Sequence, residues 1–239
     1  MTRVVRSFSP RTRGPQDDKQ GTHGDVAMVN TQKKLMRRQP RFDLLGGPVC
    51  LDFINTLDDR FKPQPKELLA SYVDLARFAE DTQILSDLQV DRLFALSQQA
   101  PREATRALEA GIQLREAIYA VIGAVMMKKP VPQAALYTVN QYVQVAARHA
   151  SLVETKGKFG WHFDDVPLDL EAPLWPIARS AAELLASPDL RLVRACAARN
   201  CQWLFLDASK NHRRRWCDMK RCGNRAKARA FYERSKKEE

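Results

Sequence analysis

Apolar positions are sparse and without period over the first forty residues, and regular patterning begins near Phe42. Val49-Cys50-Leu51-Asp52-Phe53-Ile54 is short, apolar and rich in strand formers, and Gly46-Gly47-Pro48 before it reads as a turn, so a strand is expected there. A helical period then takes over. Leu68, Tyr72, Leu75, Phe78 and Ala79 share one face of a helix expected over about 66–81, and Ser86 is placed to cap a second one reaching about Gln99. After Pro101, apolar residues at Ala107, Leu114, Ile118, Val121 and Val125 recur at helical spacing. Pro130 and Pro132 break the chain, and Leu136, Val139, Val143 and Ala146 mark the next helix. From Leu152 to Phe163 the pattern turns strand-like around Gly157 and Gly160, and a last helix over about 174–186 closes at Ser187-Pro188. No internal repeat interrupts this order. The pattern predicts an α+β fold: a mostly helical body with a few strands over 42–190.

The remaining 191–239 are organised around cysteines. Cys196-x4-Cys201 and Cys217-x4-Cys222 stand fifteen residues apart. Two paired thiols on either side of a short loop converge readily on one tetrahedral ion. Four thiolates select zinc or an iron–sulfur cluster over harder metals. The segment has no redox partner domain beside it, which favours one Zn²⁺ per chain over a cluster. Ordinary cysteines or two disulfides are the alternative. Between the pairs, Trp203–Leu206 reads as a strand, Asp207–Asn211 as a turn and Arg215–Cys217 as the return strand. Cys222-Gly223-Asn224-Arg225 opens a helix to about Arg234, with Ala226, Ala230 and Phe231 inward. A knuckle, a hairpin and a helix describe a small treble-clef-like zinc finger. So short a segment has little core of its own, and the metal supplies much of its folding free energy. His212 is expected to be exposed or phosphate-facing, since four thiolates already close the site. Cys50, in its apolar run, is expected to be buried and inert.

Charge divides the chain the same way. Residues 1–41 carry ten Lys/Arg against three Asp, and 191–239 carry fifteen against five acids, whereas 42–190 carry fourteen against twenty. The basic ends, not the acidic body, are the parts suited to a polyanion. The first segment is polar and Pro-rich, and is expected to be a disordered basic arm in which Met28 or Met36 could be the true start. No apolar run is long enough to span a membrane, and the N-terminus lacks a secretory h-region, which places the protein in the cytoplasm with reduced thiols.

In the finger, Arg221, Arg225 and Arg229 recur every four residues and form a stripe, with Lys227 beside it, and Arg213, Arg214 and Arg215 crowd the loop before Cys217. Such a surface suits phosphate contact, and Asn224 and Arg225 have side chains able to read adenine and guanine edges. Their structural alternatives are a cap or thiolate bond for Asn224 and a body carboxylate for Arg225. In the body, Asp52, Asn55, Thr56, Asp58 and Arg60 form a polar run after an apolar stretch, and Arg115 lies in an apolar helix. They outline either a buried polar network or a small-molecule pocket. An enzyme centred on Asp52, Asn55 and Arg115 ranks low. The sequence has no nucleophile elbow, phosphate loop or His/carboxylate metal motif, and its four histidines, at 23, 149, 162 and 212, are dispersed.

The run Cys217-Asp218-Met219-Lys220-Arg221-Cys222-Gly223-Asn224-Arg225 resembles the signature of CGNR zinc fingers. Leu45-Gly46-Gly47-Pro48-Val49-Cys50-Leu51-Asp52-Phe53-Ile54-Asn55-Thr56 resembles the start of the ABATE domain that accompanies that finger. The likeness covers roughly 42–236. It implies a bacterial, stress-associated transcription regulator that binds double-stranded DNA through the finger and senses a small-molecule effector or partner through the body. An RNA-binding or protein-docking zinc module is the alternative.

Overall fold

The apolar run expected to be a strand is the first helix of the protein. A computed structural model describes residues 42–163 and 169–238; the basic arm expected over 1–41 lies outside them. Helix α1 (Val49–Ile54) starts at Pro48, which holds an extended φ of −61° and ψ of 138°. Asp52 reaches back to accept from the Gly46 N–H at 2.7 Å. A short run buried almost throughout has no period to separate buried strand from buried helix. Here Pro48 and the back-reaching carboxylate favour the helix, and Cys50 to Ile54 are all buried. Gly46 belongs to the same junction: a Cβ there would sit 2.8 Å from the Asp52 backbone nitrogen, so only glycine fits.

A two-residue hairpin follows, β1 (Leu57–Asp58) against β2 (Lys66–Glu67), antiparallel with Leu57 opposite Glu67. Helix α2 (Tyr72–Asp81) therefore begins later than its apolar period indicated, at a capping box of Ser71 and Asp74. Helix α3 (Asp87–Gln99) starts at the matching box of Ser86 and Gln89. Next come α4 (Pro101–Met126) and α5 (Gln133–His149), then an antiparallel hairpin, β3 (Ala150–Thr155) with β4 (Lys158–Phe163), and α6 (Leu174–Ala186). Helix α1 lies at the centre, touching α4 and α6, so Phe53 and Leu51 are buried together with Phe78, Leu114, Ile118 and Trp175. Cys50 is buried there as well, its thiol pushed up to about 12 by burial, against the Ser180 hydroxyl and backbone bonds that lower it. No helix among the described residues is long and apolar enough to cross a membrane.

A 3-10 turn (Pro188–Leu192) leads into β5 (Val193–Ala195), which pairs antiparallel with β6 (Leu204–Leu206). This corrects the expected hairpin: the partner of β6 lies upstream of the first cysteine, and Arg215–Cys217 is not a strand. The Arg215 carbonyl instead accepts from the N–H of Ala197, in the first cysteine loop, at 2.8 Å. A π-helical turn (Met219–Gly223) then opens into α7 (Asn224–Glu238).

Because successive side chains of a strand point to opposite faces, β6 serves two cores at once. Val193 and Leu204 join the body core, with Leu206 packed against it. Trp203 and Phe205 join the finger core with Cys196, Cys217 and Cys222.

Burial raises the Asp52 carboxyl from 3.8 to about 6, opposed in part by bonds from Gly46 and Leu45. The folded protein therefore holds a proton that the unfolded chain has already released between these two values. The contribution of Asp52 to stability falls as pH rises through that window. Denaturation of wild type and Asp52→Asn at a series of pH values should show the variant gaining relative stability from about pH 4 to about pH 6, with a constant difference outside this range. A difference independent of pH would contradict the assignment.

Candidate metal centre and basic finger

The four cysteines come together from two short loops. The first knuckle is tied by Cys196 N–H to Trp203 O at 2.8 Å and Cys201 N–H to Ala198 O at 3.0 Å. The second is the π-helical turn, where the Asp218 side chain caps the Arg221 N–H at 2.9 Å and Cys222 N–H reaches Asp218 O at 3.0 Å. All four Sγ atoms lie within 4.8 Å of one another. Two of the separations are 3.6 Å, Cys201 to Cys217, and 3.7 Å, Cys217 to Cys222. Tetrahedral zinc with Zn–S bonds of about 2.3 Å needs sulfurs about 3.8 Å apart. The donor set and its spacing fit one zinc ion, which would cross-link the two knuckles.

The electrostatics point the same way. Hydrogen bonds from Cys201 and Cys217 hold the Cys196 thiol well below its usual range. The bond to Cys196 in turn pushes the Cys201 thiol upward, and Cys217 shifts upward for the same reason. Four thiolates this close cannot all ionise without a cation between them. Arg225 adds a positive charge, donating from Nη2 to Cys222 Sγ at 3.4 Å, and the contact raises its own pKa.

The loop from Asp207 to Cys217 is organised by a buried carboxylate that the sequence reading passed over. Asp207 accepts from Ser209 N–H, Ser209 Oγ and Arg214 N–H at 3.1, 2.6 and 2.9 Å. Burial pushes this carboxyl up, yet these bonds hold it below its usual range. The signal was present as Asp207-x-Ser209, the composition of an Asx turn. His212 is exposed, with its Nδ1 2.9 Å from the Asp207 carbonyl.

The basic residues separate into two groups. Arg214 turns into the finger: Nε donates to Trp216 O at 2.9 Å, Nη2 donates to Cys217 O, and the guanidinium lies 4.5 Å from the Phe205 ring centre. Arg221 pairs with Asp43 of the body. The two structural roles foreseen for Asn224 and Arg225 thus fall to neighbours, one and four residues away: Arg225 takes the thiolate and Arg221 the body carboxylate. Arg213, Arg215, Asn224, Lys227 and Arg229 are exposed. So is Phe231, at 61 %, which corrects its expected inward orientation.

The polar run of the body is joined to this centre. Asn55 mimics a strand, donating to Leu204 O at 2.9 Å and accepting from Leu204 N–H at 2.9 Å. Trp203 Nε1 donates to Asp58 at 2.7 Å, and Leu206 N–H to Gly46 O at 2.8 Å. Behind them, buried Arg115 donates to both Glu67 oxygens at 2.7 Å, to Glu116 at 2.9 Å and to Thr56 Oγ1 at 3.1 Å. Burial pushes the Arg115 guanidinium down, but Glu67 and Glu116 more than compensate. Arg60 pairs with Glu116 over the Tyr119 ring. Asp52, Asn55, Thr56, Arg60 and Arg115 are therefore occupied with the backbone and with charged neighbours. The cavity closest to the thiols, about 190 Å³, is lined instead by Leu45, Asp58, Lys62, Cys201, Arg221 and Arg225 among others.

Comparison with known families gives two matches. Residues 47–188 match the ABATE model, described as "Putative stress-induced transcription regulator", and residues 192–235 match the CGNR zinc finger. Both are regulatory or metal-binding families, not enzyme families. No curated protein matches the chain.

Elemental analysis should give about one zinc per chain. Acid should release it, because protons compete for the thiolates. Removing the metal, or replacing Cys217 with Ser, should unfold the finger and also lower the stability of the body, because β6 belongs to both cores. Asn55→Ala should reproduce part of that loss, about 1–3 kcal/mol, by leaving the buried Leu204 amide without a partner. A body whose unfolding midpoint ignores zinc would contradict the shared strand.

Proposed function

This chain belongs to the ABATE family and carries a C-terminal CGNR zinc finger, and from that premise we propose that it is a transcription regulator whose finger binds double-stranded DNA. The observation carrying the proposal is helix α7. From Asn224 to Lys236 every side chain except the half-buried Ala226 is exposed. An isolated helix of this length is marginal in water. The zinc-bound turn at Cys222 anchors its first turn, and the rest is presented to solvent. At 1.5 Å per residue its fifteen residues extend about 22 Å, and its width suits the roughly 12 Å major groove. The finger's fifteen cationic residues against five acidic ones attract phosphate.

Arg213, Arg215 and Lys227 are the phosphate contacts of this reading, because Arg214 and Arg221 are committed to the fold. The body then acts as the sensor. A small polar effector in the cavity beside the thiols would touch Asp58, Arg221 and Arg225, and so bear on both the finger and its anchorage. One observation favours single-stranded RNA as the second reading: Phe231 and Tyr232 are exposed at 61 % and 69 %, and exposed aromatics stack bases.

A salt titration on duplex DNA and on single-stranded RNA tests the proposal. Each phosphate contact contributes about 0.9 to the slope of log K against log salt. Replacing Arg213 and Arg215 with Ala together should lower the slope by roughly 2 and weaken all duplexes alike. Arg214→Ala should instead destabilise the finger. Tighter, equally salt-dependent binding of RNA would favour the second reading, and salt-insensitive binding would contradict both.

A further inference from the structure

The arginine stripe so prominent in the sequence does not form the outer face of α7. Residues three and four apart share a helix face, which sorts the helix into two sides. Ala226, Arg229, Ala230 and Glu233 face the first knuckle, Ala197–Asn200, across a groove of about 270 Å³. Arg225 leans to the thiolate of Cys222 and Arg221 to Asp43. The opposite side, away from the finger, carries Asn224, Lys227, Ala228, Phe231, Arg234 and Ser235, all exposed.

The chemistry of that outer face is specific. It holds no acidic residue between Asn224 and Ser235, whereas Glu233 lies on the knuckle side. Lys227 and Arg234 supply charge toward one edge. Along the middle run one amide, Asn224, one small methyl, Ala228, and one large aromatic, Phe231, whose ring is 61 % exposed. Leaving such a ring in water is costly unless a partner covers it. In the major groove an Asn side chain pairs bidentately with the adenine N6 and N7, while Ala and Phe contact the C5-methyl of thymine. An amide next to two apolar groups on a cationic helix therefore matches A·T pairs, and no guanine-reading arginine sits between them.

We propose that the outer face of α7 reads A·T base pairs in the major groove, Asn224 through adenine and Ala228 with Phe231 through the thymine methyl. This inference rests on the duplex-binding reading above and adds the base preference and the residues that produce it.

The test uses the full-length, zinc-loaded protein and four duplexes of equal length. One contains only A·T pairs, one only G·C pairs, one has every thymine replaced by uracil, which lacks the methyl, and one has 7-deazaadenine in place of adenine. Wild type should bind the A·T duplex about tenfold tighter than each of the others. Phe231→Ala should lose the thymine–uracil difference while still rejecting 7-deazaadenine, and Asn224→Ala should do the reverse. Both residues are exposed, so zinc content and helix content should be unchanged in both variants, and the salt slope should stay at the wild-type value. Salt-dependent binding by wild type that does not distinguish thymine from uracil or adenine from 7-deazaadenine would overturn this inference and leave duplex binding standing. Failure to bind any duplex would overturn both.

Discussion

The convergence of four thiols on one point is the constraint on which the C-terminal finger depends. Around it, among the described residues, the cluster next to the thiols holds Trp203 and Phe205 as its large buried apolar groups, with Leu45 and Trp216 at the margin. That is too little apolar area to offset the ordering entropy of some fifty residues. A cross-link between the two knuckles shortens the loops that must be closed, and so replaces the missing core. The irregular segments then become explicable. The Asp207 turn and the inward Arg214 both hold the loop that returns the chain to Cys217.

The same strand that closes the finger also closes the body. Leu204 lies in the body core, and its backbone is held on both sides by the carboxamide of Asn55, a residue 149 positions away. Asp58, Gly46 and Asp43 add further ties from the body to Trp203, Leu206 and Arg221. This changes the meaning of the polar run after α1. Its members form a buried network that joins the finger to the helices, with Arg115 and its two glutamates as the charged centre. These contacts leave only a short path through side chains between the helices of the body and the four thiols.

What could be read in advance follows from the range of the interactions involved. The amphipathic helices α3, α4 and α6 were legible because caps and period are local, and the zinc ligands because paired cysteines encode a metal by spacing alone. Helix α1 was not, since a run buried on every side shows no period. The pairing of β6 was misplaced because its partner lies beyond the first knuckle. The arginines at 221, 225 and 229 recur every four residues and were expected to form one stripe. Its direction depends on Asp43, 178 residues distant, and on the position of a thiolate. The exposure of Phe231 follows from that direction, and so it could not be read before the fold was known.

The central claim is that metal, finger and body fold as one unit through β6. Hydrogen exchange on the amides of α1 and β6, with zinc bound and after its removal by a chelator, tests this most directly. The account predicts that stripping the metal speeds exchange at Leu204–Leu206 and, together with it, at Leu51–Asn55, which lies in the body and binds no zinc. Faster exchange in the finger with α1 unchanged would contradict it.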